Sequence, residues 1–115
     1  MVSTTVQTTV YLNQGDGDHF FVGYTEGDPL ARAATFDLDT QLVAQLTGGI
    51  PKQALALVFD QLNMPTPTTP WAIDYRQRSN RSLSIGDVVT IGEIAFGLSR
   101  REGWQRVSIE AEQVA

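Results

Sequence analysis

Tyr75-Arg76-Gln77-Arg78-Ser79-Asn80-Arg81-Ser82-Leu83-Ser84-Ile85-Gly86-Asp87-Val88-Val89 divides this chain into two kinds of sequence. The first half of the stretch is polar and holds three of the eight basic residues. The second half passes through a hydroxyl-rich bend and a glycine into β-branched residues, which favour strands. Ser82 and Ser84 can satisfy backbone donors in that bend. Gly86-Asp87 reads as the turn that aims the strand, with Asp87 accepting backbone hydrogen bonds.

Toward the C-terminus the pattern stays β-rich. Val88 to Ile91 reads as a strand, Gly92-Glu93 as a tight turn and Ile94 to Leu98 as the return strand. Arg101-Glu102-Gly103 turns the chain again, and Trp104 to Ile109 alternates as a third strand of a meander. The tail from Glu110 is predicted to fray, as are residues 1–4.

Toward the N-terminus the character changes. Trp71 to Arg76 reads as extended, after a connector whose three prolines at 65, 67 and 70 remove donors and fix φ. Before it, Leu55, Val58, Phe59 and Leu62 fall at i, i+3, i+4 and i+7, one apolar stripe of a helix over about 51–63. Pro51 suits its first turn. Asp39-Thr40 can cap a short helix carrying Leu42, Val43 and Leu46, ended by Gly48-Gly49. Val6, Thr8, Val10 and Leu12 alternate with Gln7, Thr9 and Tyr11, the period of a half-buried strand. After the Asn13–Asp18 turn, His19 to Tyr24 reads as its hairpin partner. A third strand is predicted around Ala33–Asp37, past the Glu26-Gly27-Asp28-Pro29 turn.

At 115 residues, with 42% apolar and 18% charged residues, the chain has the composition of one globular domain. It contains no cysteine, which excludes disulfides, thiolate metal sites and cysteine nucleophiles. No apolar run reaches the roughly 20 residues needed to span a bilayer, and Met1-Val2-Ser3-Thr4-Thr5 lacks the features of a signal peptide. A cytoplasmic location without membrane association is the expectation. The net charge of −5 is uneven. Residues 1–60 hold two bases against seven acids, residues 61–115 six arginines against six acids. Within Trp71–Arg106 six arginines face four acids, so the molecule is expected to be dipolar.

A helix of the form Ala54-Leu55-x-x-Val58-Phe59-x-x-x-Asn63 leads into a proline-rich connector and Tyr75. Arg81-Ser82-Leu83-Ser84-Ile85-Gly86-Asp87-Val88-Val89 follows, then a short hairpin and Gly103-Trp104. This order resembles the YodL-like domains, small domains of bacteria, phages and conjugative elements, over about residues 54–107. The resemblance implies an α+β fold and a link to mobile elements. It does not by itself imply an activity.

Several groups are candidates for function. Arg76, Arg78 and Arg81 could clamp phosphates or a partner's carboxylates. They could equally neutralise Asp74, Asp87 and the chain's own acidic half. Arg100, Arg101 and Arg106 could join them. Trp71, Tyr75 and Trp104 could stack on bases or pack in the core. Gly15-Asp16-Gly17-Asp18-His19 offers two carboxylates and an imidazole, but Phe20 stands where a calcium loop needs an acid. The one histidine, with no cysteine, leaves little basis for a zinc site. Asp37 and Asp39 could form a carboxylate pair, though Asp39 is better placed as a helix cap.

The sequence therefore predicts a single α+β domain. A mostly antiparallel sheet of five or six strands carries one main helix on one face and a C-terminal three-strand meander. Its core is expected to include Val10, Phe20, Val22, Leu55, Val58, Phe59, Leu62, Leu83, Ile85, Val88, Ile91 and Ile94. The expected function is a non-catalytic interaction module, without cofactor or metal, of a phage, plasmid or other mobile-element accessory system. It would bind a protein partner through the basic 76–81 loop and adjacent meander, with Tyr75, Arg76, Arg78, Arg81, Trp104 and Arg106 as contacts. Two alternatives remain: single-stranded nucleic-acid binding on that surface, and a small carboxylate-dependent hydrolase. Self-association of the acidic half with a neighbour's basic patch is a further option.

Overall fold

The strand nearest the N-terminus lies inside the sheet, flanked on both sides. In the computed structural model, which describes residues 4–15, 17, 22–46 and 48–114, strand β1 is Thr5–Asn13. It pairs antiparallel with β2, Leu30–Asp39, on one side and with β3, Val88–Ile91, on the other. β4, Ile94–Ser99, and β5, Gly103–Val107, continue the antiparallel sheet, giving the order β2-β1-β3-β4-β5. Three helices complete the small α+β domain: α1, Thr40–Ala44, α2, Lys52–Asn63, and α3, Pro70–Gln77.

Two apolar clusters lie on opposite faces of this sheet. The larger joins Val10, Leu12, Val89, Ile91 and Phe96 with Leu55, Val58 and Leu62 of α2 and Ala72 and Tyr75 of α3. The smaller joins Tyr11, Leu30, Val88 and Ala95 with the half-buried Tyr24, Val107, Ile109 and Val114. Strand β1 is consequently buried on both faces from Thr8 onward, whereas alternation alone predicts one wet face. The difference lies in the end of the chain. The segment expected to fray instead forms a 3-10 turn, Ala111–Gln113, which folds back over the smaller cluster. Gln113 Nε2 donates to the Tyr24 hydroxyl at 2.9 Å and to the Asp28 carbonyl at 2.7 Å, and Val114 bridges to Leu30.

The apolar stripe of α2 turns inward as its spacing requires, with Leu55, Val58 and Leu62 buried and Phe59 half-buried at its edge. Asp39 caps α1, its carboxylate accepting from the Gln41 N–H at 2.8 Å.

The 71–76 segment departs from expectation, since it is helical rather than extended. The third proline of the connector does not prolong it. Pro70 occupies the first turn of α3, where a missing N–H costs nothing and the fixed φ is already helical. Ala72 and Tyr75, three apart, then face the core, and Trp71 stacks on Phe36 of β2 with ring centroids 4.2 Å apart.

Residues 22–24 of the expected hairpin partner form no strand, and β1 pairs with β2 instead. His19 and Phe20 lie outside the described residues, and Val22, expected in the core, is 67% exposed. Ile94 also emerges, at 41%, because it adjoins the Gly92–Glu93 turn at the end of the sheet. Ile85 is half-buried in the bend rather than in a strand. That bend turns on Gly86, whose φ of 96° lies where side chains with a Cβ are strained.

Candidate functional site

The polar half and the β half of the 75–89 stretch are locked to each other by an ion pair. Arg81 Nη1 and Nη2 donate to Oδ2 and Oδ1 of Asp87, each at 2.7 Å. Asp87 is fully buried, while the Arg81 side chain is 38% exposed. The same carboxylate accepts the Asn13 N–H at 2.8 Å and the Ser84 N–H at 2.7 Å. Four donors thus occupy the four lone-pair directions of a carboxylate. Arg81 also donates to the Ser82 carbonyl at 3.0 Å and the Asn13 carbonyl at 3.2 Å.

Tyr75 completes the junction from α3, its hydroxyl donating to the Arg81 carbonyl at 2.6 Å. Burial, reinforced by the Asp87 charge, pushes the Tyr75 phenol up to about 12. The hydrogen bonds that Arg81 donates to Asp87 raise its guanidinium above its usual value against the opposing effect of burial. A carboxylate so fully engaged binds structure together and offers no free lone pair to a substrate.

Three amides extend the junction. Asn63, the last residue of α2, donates to the Leu83 carbonyl at 3.0 Å and accepts the Leu83 N–H at 2.7 Å, as a strand neighbour would. Gln61 Oε1 accepts from the backbone of Thr68 and Thr69 at 2.9 and 3.0 Å, tying the proline-rich connector to α2. Asn13 Nδ2 donates to the Gly86 carbonyl at 3.0 Å and to Asp28 at 3.1 Å. Asn63 follows the apolar stripe of α2 directly in the sequence. Asn13 carried only a turn signal and Gln61 none, because their partners are remote in sequence or are backbone atoms.

The six expected contact residues therefore have different fates. Tyr75 is fully buried and cannot meet a partner at the surface. Arg81 commits its guanidinium to the buried Asp87 carboxylate. Arg78 Nε pairs with Asp74 at 3.0 Å across an exposed helix turn. Arg76 is exposed and donates through Nε and Nη2 to the Met64 carbonyl at 3.0 and 2.8 Å. Trp104 is half-buried against the larger cluster. Arg106 is exposed on β5, at the end of the row Val10–Val89–Phe96–Arg106 set by the strand register.

The fold brings Arg76 and Arg78 together on α3, which contacts β2 at one edge of the sheet. Trp104 and Arg106 belong to the opposite edge. The four intervening strand spacings amount to roughly 19 Å. Once the internal Arg81–Asp87 pair is set aside, Trp71–Arg106 presents five exposed arginines against three exposed carboxylates. The other described residues carry a clear excess of acids, among them Glu26, Asp37, Asp39, Asp60, Glu110 and Glu112 against Arg32 and Lys52.

Among the described residues no group of three His, Asp or Glu side chains is placed to hold a metal ion. Asp16, Asp18 and His19 lie outside those residues. No helix among the described residues is long and apolar enough to cross a membrane. No family model, curated protein or solved structure matches the chain.

Proposed function

We propose that this domain is a non-catalytic interaction module of a phage, plasmid or other mobile-element accessory system, docking an acidic protein partner on its arginine-bearing region. The observation that carries the reading is the surplus of exposed arginines within Trp71–Arg106 on an otherwise acidic body. Such a distribution orients an approaching partner and suppresses wrong ones more than it adds raw affinity. The link to mobile elements rests on the resemblance of residues 54–107 to YodL-like domains. The reading takes α2 as the main helix laid on one face of the sheet, and the last three strands as a meander bearing Arg101 and Arg106.

The test is recovery of partners by the tagged protein from cells carrying the parent element. It compares wild type with a variant in which Arg76, Arg78, Arg101 and Arg106 are changed to glutamate. Loss of a specific partner, with weaker recovery at higher salt, supports the reading. Recovery of the same partners by both proteins overturns it. Titration of a labelled single-stranded oligonucleotide decides the nucleic-acid alternative, since affinity absent at low salt removes it.

A further inference from the structure

Arg76 differs from the other arginines of its segment in being held without being neutralised. Nε and Nη2 both donate to one acceptor, the Met64 carbonyl at the C-cap of α2, at 3.0 and 2.8 Å. The plane of the guanidinium is thereby fixed against α2. A guanidinium has five N–H donors, so three remain after these two bonds. Among the described residues no carboxylate pairs with Arg76. Arg78 is committed to Asp74 and Arg81 to Asp87. A surface arginine normally loses much of its rotamer freedom when it grips an anion, and Arg76 has surrendered most of that freedom already.

The neighbour of Arg76 on the helix surface is apolar. Ile73 lies three residues earlier, hence on the same face of α3, and is 40% exposed. Asp74 is compensated by Arg78, so an approaching carboxylate meets no unpaired acid on α3.

We infer that the outer face of α3 is a preformed receptor for an acidic peptide segment. Arg76 would receive a carboxylate in a forked hydrogen bond, and Ile73 would cover an aliphatic or aromatic side chain beside it. Charge complementarity selects this occupant. Its single carboxylate matches one fixed, unpaired guanidinium. A nucleic-acid strand would bring a row of phosphates toward a body of net charge −5 and would leave Ile73 uncovered.

The inference rests on the protein-interaction reading and names its site. A random dodecapeptide display library panned on the wild-type protein tests it. The expected selection is Asp or Glu adjacent to Leu, Ile, Val or Phe. Affinity of a selected peptide should fall about tenfold or more with Arg76→Ala, as for loss of a hydrogen-bonded charge. It should also fall with Arg76→Lys, which keeps the charge and loses the fork. Lys52→Glu, a charge reversal at an exposed residue outside the arginine-bearing region, should leave it unchanged. Peptides whose binding depends on Arg101 and Arg106 but not on Arg76 would overturn the inference and leave the interaction reading standing. A library that yields no acidic peptide overturns the inference; if the tagged protein also recovers no partner, the broader reading falls with it. Binding of labelled oligothymidine with the same Arg76 dependence overturns the peptide assignment.

Discussion

Arg76 and Arg81 belong to one polar stretch, and the fold uses them in opposite ways. Arg81 turns inward to a carboxylate with no exposure, supported by two backbone N–H groups and the end of β1. Arg76 stays at the surface, tied to a single carbonyl of α2. One is a fastener of the core and the other a fixed charge presented to solvent. Residue type is the same in both. What differs is whether the backbone brings a desolvated anion within reach, which depends on where β1 and β3 end.

The largest test of that contrast is Arg81→Ala. It leaves the buried Asp87 carboxylate without its counter-charge and is expected to lower stability by about 3–5 kcal/mol in urea unfolding. A loss under about 1 kcal/mol would show that Asp87 tolerates isolation and would break the comparison. Exchanging Arg81 and Asp87 together for apolar residues is not expected to rescue the fold. The N–H groups of Asn13 and Ser84 would then lose their acceptor.

Tyr75 sharpens the same point through pH. Its neutral phenol is favoured in the folded state, so the folded value near 12 exceeds the ordinary 10. The contribution is fully present below pH 10 and fades as pH rises from 10 toward 12, a loss on the order of 2–3 kcal/mol. Tyrosinate absorbance should show one phenol titrating near 12, and Tyr75→Phe should remove it. A Tyr75 phenol that titrates at the ordinary value would contradict the buried junction.

Asn63→Ala follows. Removing both bonds to Leu83 should cost about 2 kcal/mol, from two hydrogen bonds at about 1 kcal/mol each. The midpoint of thermal unfolding reads it, and an unchanged midpoint would show that Leu83 finds other partners. The smallest effect belongs to Arg76→Ala, expected to alter stability by no more than about 0.5 kcal/mol, as for an exposed substitution. A loss comparable with that of Arg81→Ala would make Arg76 a fastener too and would undercut its role in recognition.

Local regularities proved the most legible part of the fold. The stripe at 55, 58, 59 and 62 and the Asp39 cap depend on neighbours a few residues away, and they were read correctly. The strands around 6–12, 33–37 and 88–91 are legible for the same reason, though the pairing of β1 with β2 is not. α3 is hidden in the sequence because three prolines together read as breakers, while Pro70 alone is positioned to start a helix. Val22 was misjudged because alternation cannot tell which face, if any, will be covered. In the candidate site, the acceptor role of Asp87 was legible from its place after Gly86. Neutralisation of Asp74 and Asp87 by nearby arginines is legible in the sequence; the complete burial of Asp87 is not. The exposure of Arg76 beside Ile73 required knowing that 70–77 is helical.

By itself, then, the sequence determined what short-range chemistry can encode: an α+β content, one amphipathic helix, the bend at Gly86-Asp87, and an acidic body with an arginine-bearing region. Only the tertiary structure decided which arginine would pair with a buried carboxylate. Asn13 and Asp87 stand far apart along the chain and meet because β1 and β3 pair. A charge becomes structural when distant backbone removes its water, and no local pattern records where that will happen.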